Sequence, residues 1–259
     1  TLFCSFMVIM GLVSSELNES TQKQVRLLSG SQLSSVSAHI DNIMNEAVQI
    51  AARLSLDDDI MSFLLADISD YSVNYEETFQ AKKKLEQYFG IFSYIDSIYI
   101  YSSKSRYILT NTEGGPVDSF EDLTWYDNLT ERIYEPARMI SRLKYGTYPY
   151  LISYLQPVRL TQMQFLGGII INIDANKISQ YSTGSSESFF IIDARDNVIF
   201  SSDESYQLEK WSQLPYALEY DEKGEETQII QVEGEDLILS VASSDKFNWK
   251  YAALVPLEK

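Results

Sequence analysis

The stretch SSELNESTQKQVRLLSGSQLSSVSAHIDNIMNEAVQIAARLSL, residues 14–56, predicts one long amphipathic helix. Apolar residues recur in it at steps of three and four without a proline, which is the pattern of one helix face. The residues of this face are Val25, Leu28, Val36, Ile40, Ile43, Ala47, Ile50 and Leu54, with Gln32 in the one gap. A helix of this length measures about 60 Å. It therefore lies along more than one folded body or pairs with a second copy of itself.

An uncharged apolar run, Leu2–Val13, precedes this helix. A transmembrane helix needs about 20 apolar residues, so we expect residues 1–13 to be the outer end of a longer span. A cleaved signal peptide is the competing interpretation, but no small-residue cleavage site follows Val13. The chain is then expected to be the extracellular part of a cell-membrane protein.

The charge of the chain bears on its partners. The formal net charge is −17, and such a surface repels the phosphates of nucleic acids. We therefore expect no nucleic-acid partner. The only cysteine is Cys4, in the apolar run, so the fold holds without an intrachain disulfide.

The sequence favours a binding protein over an enzyme. His39 is the only histidine, which leaves a Ser/His/Asp triad without a base and a histidine-rich zinc site without ligands. The run Asp57–Asp59 lacks the other ligand positions of a calcium loop, and we interpret it as a helix cap. We expect no catalytic residues, metal or cofactor, although the 37 acidic residues leave a glycosidase-type carboxylate pair open.

Beyond the long helix, the chain shows the order strand, strand, helix, strand, strand, strand twice. After a helix at Tyr75–Phe89, the first set is Ser93–Tyr101, Arg106–Thr110, Leu123–Ile133, Ala137–Leu143, Tyr150–Val158 and Leu166–Asp174. The second set is Glu187–Asp193, Asn197–Ser201, Tyr206–Leu214, Thr227–Val232, Leu237–Ser243 and Trp249–Leu254. These sets predict an α+β fold with a long N-terminal helix and two tandem antiparallel five-stranded sheets. We place the subdomains at residues 57–181 and 182–259, after the stalk helix at 14–56.

The order and spacing of several motifs resemble the double Cache module, a PAS-like extracytoplasmic sensor of bacterial histidine kinases and chemoreceptors. The motifs are the pair Trp125–Tyr126, ISYLQPV at 152–158, GGIIINIDANKI at 167–178 and FFIIDARDNVIFSS at 189–202. The resemblance implies that the first subdomain is membrane-distal and binds a small ligand. It also implies that the second subdomain is membrane-proximal and relays the change.

The candidate ligand-binding residues are Tyr101, Tyr107, Trp125, Tyr126, Arg138, Tyr154, Asn172 and Asp174. Aromatic rings with a polar edge suit a pocket that releases its ligand into water, and the resemblance gives Trp125 and Tyr126 a ligand-clamping role. Arg138 could pair with a ligand carboxylate through its fork of donors, or form a surface ion pair.

Two departures from the resemblance concern the ligand. Amino-acid-binding members carry an arginine two residues before the tryptophan, where this chain has Leu123. They also carry an aspartate where this chain has Asn172, with Asp174 two residues on and on the same strand face. A carboxylate-plus-ammonium ligand is therefore not expected in the usual way, and an uncharged ligand such as a sugar, or a partner protein, stays open.

These observations predict the ligand-sensing ectodomain of a transmembrane two-component sensor histidine kinase. We expect a homodimer in the full-length receptor and a second transmembrane helix after Lys259. The alternatives are the ectodomain of a chemoreceptor, a non-signalling surface adhesion module, and a secreted hydrolase.

Overall fold

The computed structural model describes residues 2–68, 75–146, 150–182, 188–221 and 223–257. The chain divides into two compact units. The central unit is Asn42–Gln180, and the terminal unit combines Thr1–Asp41 with Tyr181–Lys259. The subdomain limits given above, 57–181 and 182–259, stay predictions.

Helix α1, Leu2–Leu54, is continuous, and residues from its two halves belong to different units. In the half that belongs to the central unit, Ile43, Ala47, Ile50 and Leu54 are buried, as the periodicity predicts. In the other half Leu28 is 62% exposed, contrary to the predicted face. The small Ser29 is buried instead, because its hydroxyl hydrogen-bonds the Ser240 hydroxyl at 2.8 Å.

The central unit contains further helices and one sheet. Its elements are α2 Asp58–Leu65, α3 Tyr75–Phe89, β1 Ile95–Ser102, β2 Tyr107–Thr110, β3 Gly114–Pro116, α4 Tyr126–Thr130, β4 Arg138–Leu143, β5 Tyr150–Arg159 and β6 Phe165–Asp174, and α5 Ala175–Ser182 follows. Asp57 is the N-cap of α2, because its carboxylate accepts hydrogen bonds from the backbone N–H groups of Asp59 and Ile60.

The central sheet has the order β3-β2-β1-β6-β5-β4, and every pairing is antiparallel. It has six strands, one more than predicted. The additional strand is the segment Gly114–Pro116, which lies outside the strands predicted above and pairs with Tyr107–Leu109 of β2.

Helices cover both faces of this sheet. On one face α2 is attached, since the Ser102 hydroxyl donates to the Leu64 carbonyl oxygen. On the other face α4 approaches the sheet at Gly168, where a Cβ atom would lie 2.5 Å from a methyl carbon of Leu129. The missing side chain of Gly168 therefore permits the close packing of α4 on the sheet.

The terminal unit contains the second sheet. Its elements are β7 Ser188–Asp193, β8 Val198–Ser201, α6 Pro215–Leu218, β9 Thr227–Val232, β10 Glu235–Ser243 and β11 Trp249–Pro256. The sheet is antiparallel with the order β8-β7-β11-β10-β9, five strands as predicted. In place of one helical segment at Tyr206–Leu214, the structure has short 3-10 turns at Glu204–Tyr206 and Trp211–Gln213.

A buried carboxylate joins α1 to this second sheet. Asp41 accepts hydrogen bonds from the hydroxyls of Ser244 and Tyr251, the indole N–H of Trp249 and the backbone N–H of Asp245. The distance from the Tyr251 hydroxyl oxygen to the carboxylate is 2.5 Å. A carboxylate with four donors is held firmly at one position of the hairpin between β10 and β11.

The structure thus confirms the predicted α+β class, with a long N-terminal helix and two antiparallel sheets. Among the described residues, no helix combines the length and apolar character that a bilayer crossing requires.

Candidate functional site

An aromatic cluster lies on the α4 face of the central sheet. Trp125, immediately before α4, is fully buried, and its ring centroid lies 6.0 Å from that of Tyr101 and 5.7 Å from that of Tyr126. Tyr99 of β1 adds a fourth ring at 6.3 Å. Tyr99 and Tyr101 are two residues apart on β1, so both rings lie on the same face of the sheet.

Two of the predicted tyrosines meet through their hydroxyls. The Tyr101 and Tyr126 oxygens are 3.1 Å apart, and the two rings contact edge to face. Burial raises the pKa of Tyr101 well above its ordinary value, and the hydrogen bond with Tyr126 raises that pKa further. Tyr101 is buried and Tyr126 is half-buried, so Tyr126 forms the accessible edge of the cluster.

The segment before α4 fixes the orientation of Trp125. The indole N–H donates to the Asp122 carbonyl oxygen at 2.8 Å. The Thr124 hydroxyl donates to the Leu143 carbonyl oxygen of β4 at 2.8 Å. Trp125 is therefore held in one orientation by the loop that carries it, and that loop is attached to the sheet.

A buried ion pair lies beside the aromatic cluster. The guanidinium of Arg142 binds the Asp122 carboxylate with two parallel hydrogen bonds of 2.7 and 2.9 Å. The two side chains are only 4% and 1% exposed. Tyr99 links the pair to the aromatic cluster, since its hydroxyl donates to the Asp122 carboxylate at 3.0 Å. Burial first, and then the charge of Asp122, raise the pKa of Tyr99.

Asn172 of β6 lies on this face, as its position in the strand predicts, and it belongs to the same network. Its side-chain oxygen accepts from Arg142 at 2.9 Å and from the Ser153 hydroxyl at 2.7 Å. Its amide nitrogen donates to the Ser97 hydroxyl at 3.0 Å. Asn172 is fully buried, so its contacts position Arg142 and the central strands.

The structure places Arg138 and Asp174 at two ends of this face. Arg138 lies four residues before Arg142 on β4 and therefore shares its face. The guanidinium nitrogens of Arg138 are buried, and one lies 3.4 Å from the Glu135 carboxylate, whose side chain is 46% exposed. The Asp174 carboxylate accepts from the backbone N–H of Asn176 at 2.9 Å, which is the contact of a residue that caps α5.

Tyr107 and Tyr154 lie on the opposite face of the sheet. The ring of Tyr107 packs edge to face against Phe63 of α2, with centroids 6.3 Å apart. Tyr154 precedes Leu155, a member of the cluster around Trp125, so strand alternation directs its side chain away from that cluster. Burial raises the pKa of Tyr154. The structure therefore does not bring these two tyrosines together with the other candidates.

The site also contains residues that were not among the predicted candidates, including Tyr99, Asp122, Arg142 and Ser153. Arg142 carried a signal, because it follows Arg138 at an even spacing in a predicted strand and must share its face. Asp122 carried none, because it precedes α4 in a loop and only the tertiary structure places its carboxylate at Arg142.

A family profile described as a Cache domain, dCache_1, matches residues 13–259. The chain belongs to this dCache family. The match confirms the resemblance deduced from the motifs. Cache domains are ligand-binding, non-catalytic sensor domains. A search of curated proteins finds no match to the chain.

Solved sensor and ligand-binding domains of bacterial receptors share the fold. The sensor domain of the V. cholerae histidine kinase DctB has a TM-score of 0.65 at 16% identity, and the match covers 92% of this chain and 99% of that chain. The ligand-binding domain of the Pseudomonas fluorescens chemoreceptor CtaA, in complex with L-isoleucine, has a TM-score of 0.65 at 11% identity and coverages of 93% and 95%. The domain of the Pseudomonas aeruginosa amino acid chemoreceptor PctB, in complex with L-Arg, has a TM-score of 0.62 at 13% identity and coverages of 86% and 91%.

Proposed function

We propose that this dCache domain is the extracellular sensor of a cell-membrane receptor, a two-component histidine kinase, and that its central sheet binds a small molecule. The observation that carries the proposal is the cluster of Tyr101, Trp125 and Tyr126 on one face of that sheet. Trp125 and Tyr126 match the positions that the family resemblance assigned to ligand clamping. The ectodomain of a chemoreceptor is the second candidate, because chemoreceptor domains match this fold with the same TM-score as DctB.

The cluster suits an uncharged ligand with hydroxyl groups, such as a sugar. Aromatic rings provide apolar walls, and the hydroxyls of Tyr101 and Tyr126 both donate and accept hydrogen bonds. Burial raises the pKa of Tyr101, so its hydroxyl stays protonated near neutral pH. A neutral surface of this kind orients a ligand through hydrogen bonds and ring contacts.

We further propose that the second sheet transmits the occupied state to the membrane. Trp249 and Tyr251 of β11 both donate to Asp41 of α1, so the first helix and the last strand are joined by one carboxylate. In the proposed receptor these two elements continue into transmembrane helices. A ligand that binds one arrangement more tightly shifts the population, and helix displacements of about 1–2 Å are enough for signalling. We expect the full-length receptor to be a homodimer.

The test replaces the accessible tyrosine of the cluster in the full-length receptor. Tyr126→Ala should raise the inducer concentration needed for half-maximal kinase output, because the ligand loses one ring and one hydroxyl. Tyr134→Ala is the matched control, since Tyr134 follows α4 and is 66% exposed. Identical dose-response curves for Tyr126→Ala and the wild type would remove the aromatic cluster from the site.

The purified domain provides a second test. Thermal unfolding in the presence of sugars, polyols and amino acids should identify compounds that raise the midpoint of the wild type, because ligands that bind only the folded state stabilise it. The same compounds should raise the midpoint of Tyr126→Ala less. A compound that stabilises both proteins equally binds elsewhere and argues against this location.

A further inference from the structure

Every N–H donor of Arg142 is engaged by the protein itself. A guanidinium has five such donors. Nε donates to the Ser153 hydroxyl at 2.8 Å, and Nη1 and Nη2 each donate once to Asp122. The second N–H of Nη1 donates to the Thr124 hydroxyl at 2.7 Å, and the second N–H of Nη2 donates to the Asn172 side-chain oxygen at 2.9 Å. A ligand can therefore bind Arg142 only by displacing one of these partners.

The partner with the geometry of a ligand is Asp122. Its two oxygens face two nitrogens of Arg142 in parallel, which is how arginine binds the carboxylate of a small molecule. Asp122 also lies three residues before Trp125 in the loop that covers this face, and the Trp125 indole donates to its carbonyl oxygen. The chain thus presents its own carboxylate to Arg142 from the loop that also carries Trp125.

We propose that Asp122 occupies, on Arg142, the position of a ligand carboxylate, and so excludes carboxylate ligands from this end of the site. The inference rests on the proposed ligand site at the aromatic cluster and names the class of molecule that this site rejects. The proposal also makes Asp122 the residue that determines this specificity, since removal of its carboxylate converts this end into a carboxylate-binding site.

Displacement of Asp122 by a ligand carboxylate is unfavourable for two reasons. Asp122 would remain buried without its cation, and a buried charge that loses its partner is strongly destabilised. Its carboxylate would also lose the hydroxyl of Tyr99. A ligand must also lose translational and rotational entropy when it binds, whereas Asp122 is part of the same chain and loses none.

The experiment measures thermal unfolding of the purified domain in sodium formate and in sodium chloride at equal ionic strength. For Asp122→Ala we expect a lower midpoint than for the wild type, and a rise in the midpoint with formate concentration that chloride does not produce. Asp122→Asn fills the same space without the charge and should show no formate-specific rise. A formate-specific rise in the wild type, or its absence in folded Asp122→Ala, would overturn the proposal.

Longer acids separate a ligand-specificity role from a purely structural one. Propionate and butyrate place a carboxylate on Arg142 and extend a tail toward Trp125, so they should stabilise Asp122→Ala at lower concentration than formate does. Stabilisation by formate alone would show that the vacated space is closed to the ligand site, which would refute the specificity role.

The wild type provides a measurement that does not depend on the folding of a variant. The Trp125 indole N–H resonance, assigned with Trp125→Phe, reports on the Asp122 loop through its hydrogen bond. We expect this resonance to stay unchanged as formate and butyrate are added, whereas a saturable shift would contradict the exclusion. These outcomes are separate from the receptor test of Tyr126→Ala, so a failure of this proposal can be distinguished from a failure of the proposed function.

Discussion

Replacement of Asp41 should destabilise the packing of α1 against the second sheet. Of the four groups that donate to its carboxylate, Tyr251 is fully buried and Trp249 is 7% exposed. Ser244 and Asp245 reach solvent more readily. In Asp41→Ala, the two buried donors lose their charged acceptor, although Trp249 keeps a hydrogen bond to the Tyr251 oxygen at 3.0 Å.

The magnitude follows from these two buried donors. A buried group that loses a hydrogen bond to a charged partner costs about 2 kcal/mol, so Asp41→Ala should lower the free energy of unfolding of this unit by about 4 kcal/mol. Asp41→Asn keeps one acceptor oxygen and should cost about half as much, roughly 2 kcal/mol. Ser244 and Asp245 add little, because water replaces Asp41 as their partner.

Urea unfolding, followed by tryptophan fluorescence, measures the free energy, and amide hydrogen exchange locates the loss. Peptides from β10 and β11 should lose protection, whereas peptides from β1 and β6 of the central unit should not. Asp245→Asn is the matched control, since it removes one acidic charge from the same turn and keeps the backbone N–H that reaches Asp41. A difference below about 0.5 kcal/mol between Asp41→Ala and this control would refute the reasoning.

Three further predictions concern other parts of the molecule. Gly168→Ala should destabilise the central unit by about 1–3 kcal/mol, because its Cβ overlaps Leu129; urea unfolding measures the loss, and Leu129→Ala in the same chain should recover part of it. Since the folded protein holds Tyr99 and Tyr251 neutral with raised pKa values, the contribution of these two residues to stability should be constant below about pH 10 and be lost as the pH rises further. Ultraviolet titration should show the phenols of both residues ionising only as the protein unfolds, and early ionisation would contradict this. Tyr154→Phe should leave the inducer response unchanged, because its side chain lies on the opposite face of the sheet, and a large shift would show that this face also contributes.

The pattern of the sequence was enough to predict most of the elements, because each depends on local periodicity. The proline-free repeat in residues 14–56 predicted α1, and alternation in segments such as Ser93–Tyr101 predicted strands that the structure contains. The strand at Gly114–Pro116 was not predictable in this way. Glycine and proline have low strand propensity, and only the pairing with β2 makes this segment a strand.

The exposed and buried sides of α1 show a second limit of periodicity. Hydropathy favours Leu28 over Ser29 as the inward residue, yet Ser29 is buried through its bond to Ser240, which lies 211 residues later in the chain. Such a choice depends on the shape and hydrogen-bonding groups of the partner surface. The same holds for Asp41, whose donors all come from Ser244–Tyr251.

For the site, the sequence by itself determined which residues could share a face. Strand alternation placed Asn172 and Asp174 on one face of their strand, and the family resemblance assigned Trp125 and Tyr126 to the ligand site. The tertiary structure alone decided the electrostatics, because Asp122 meets Arg142 across 20 residues of chain. Local sequence fixes the direction of a side chain, whereas a charge acquires its partner only when separate segments pack together.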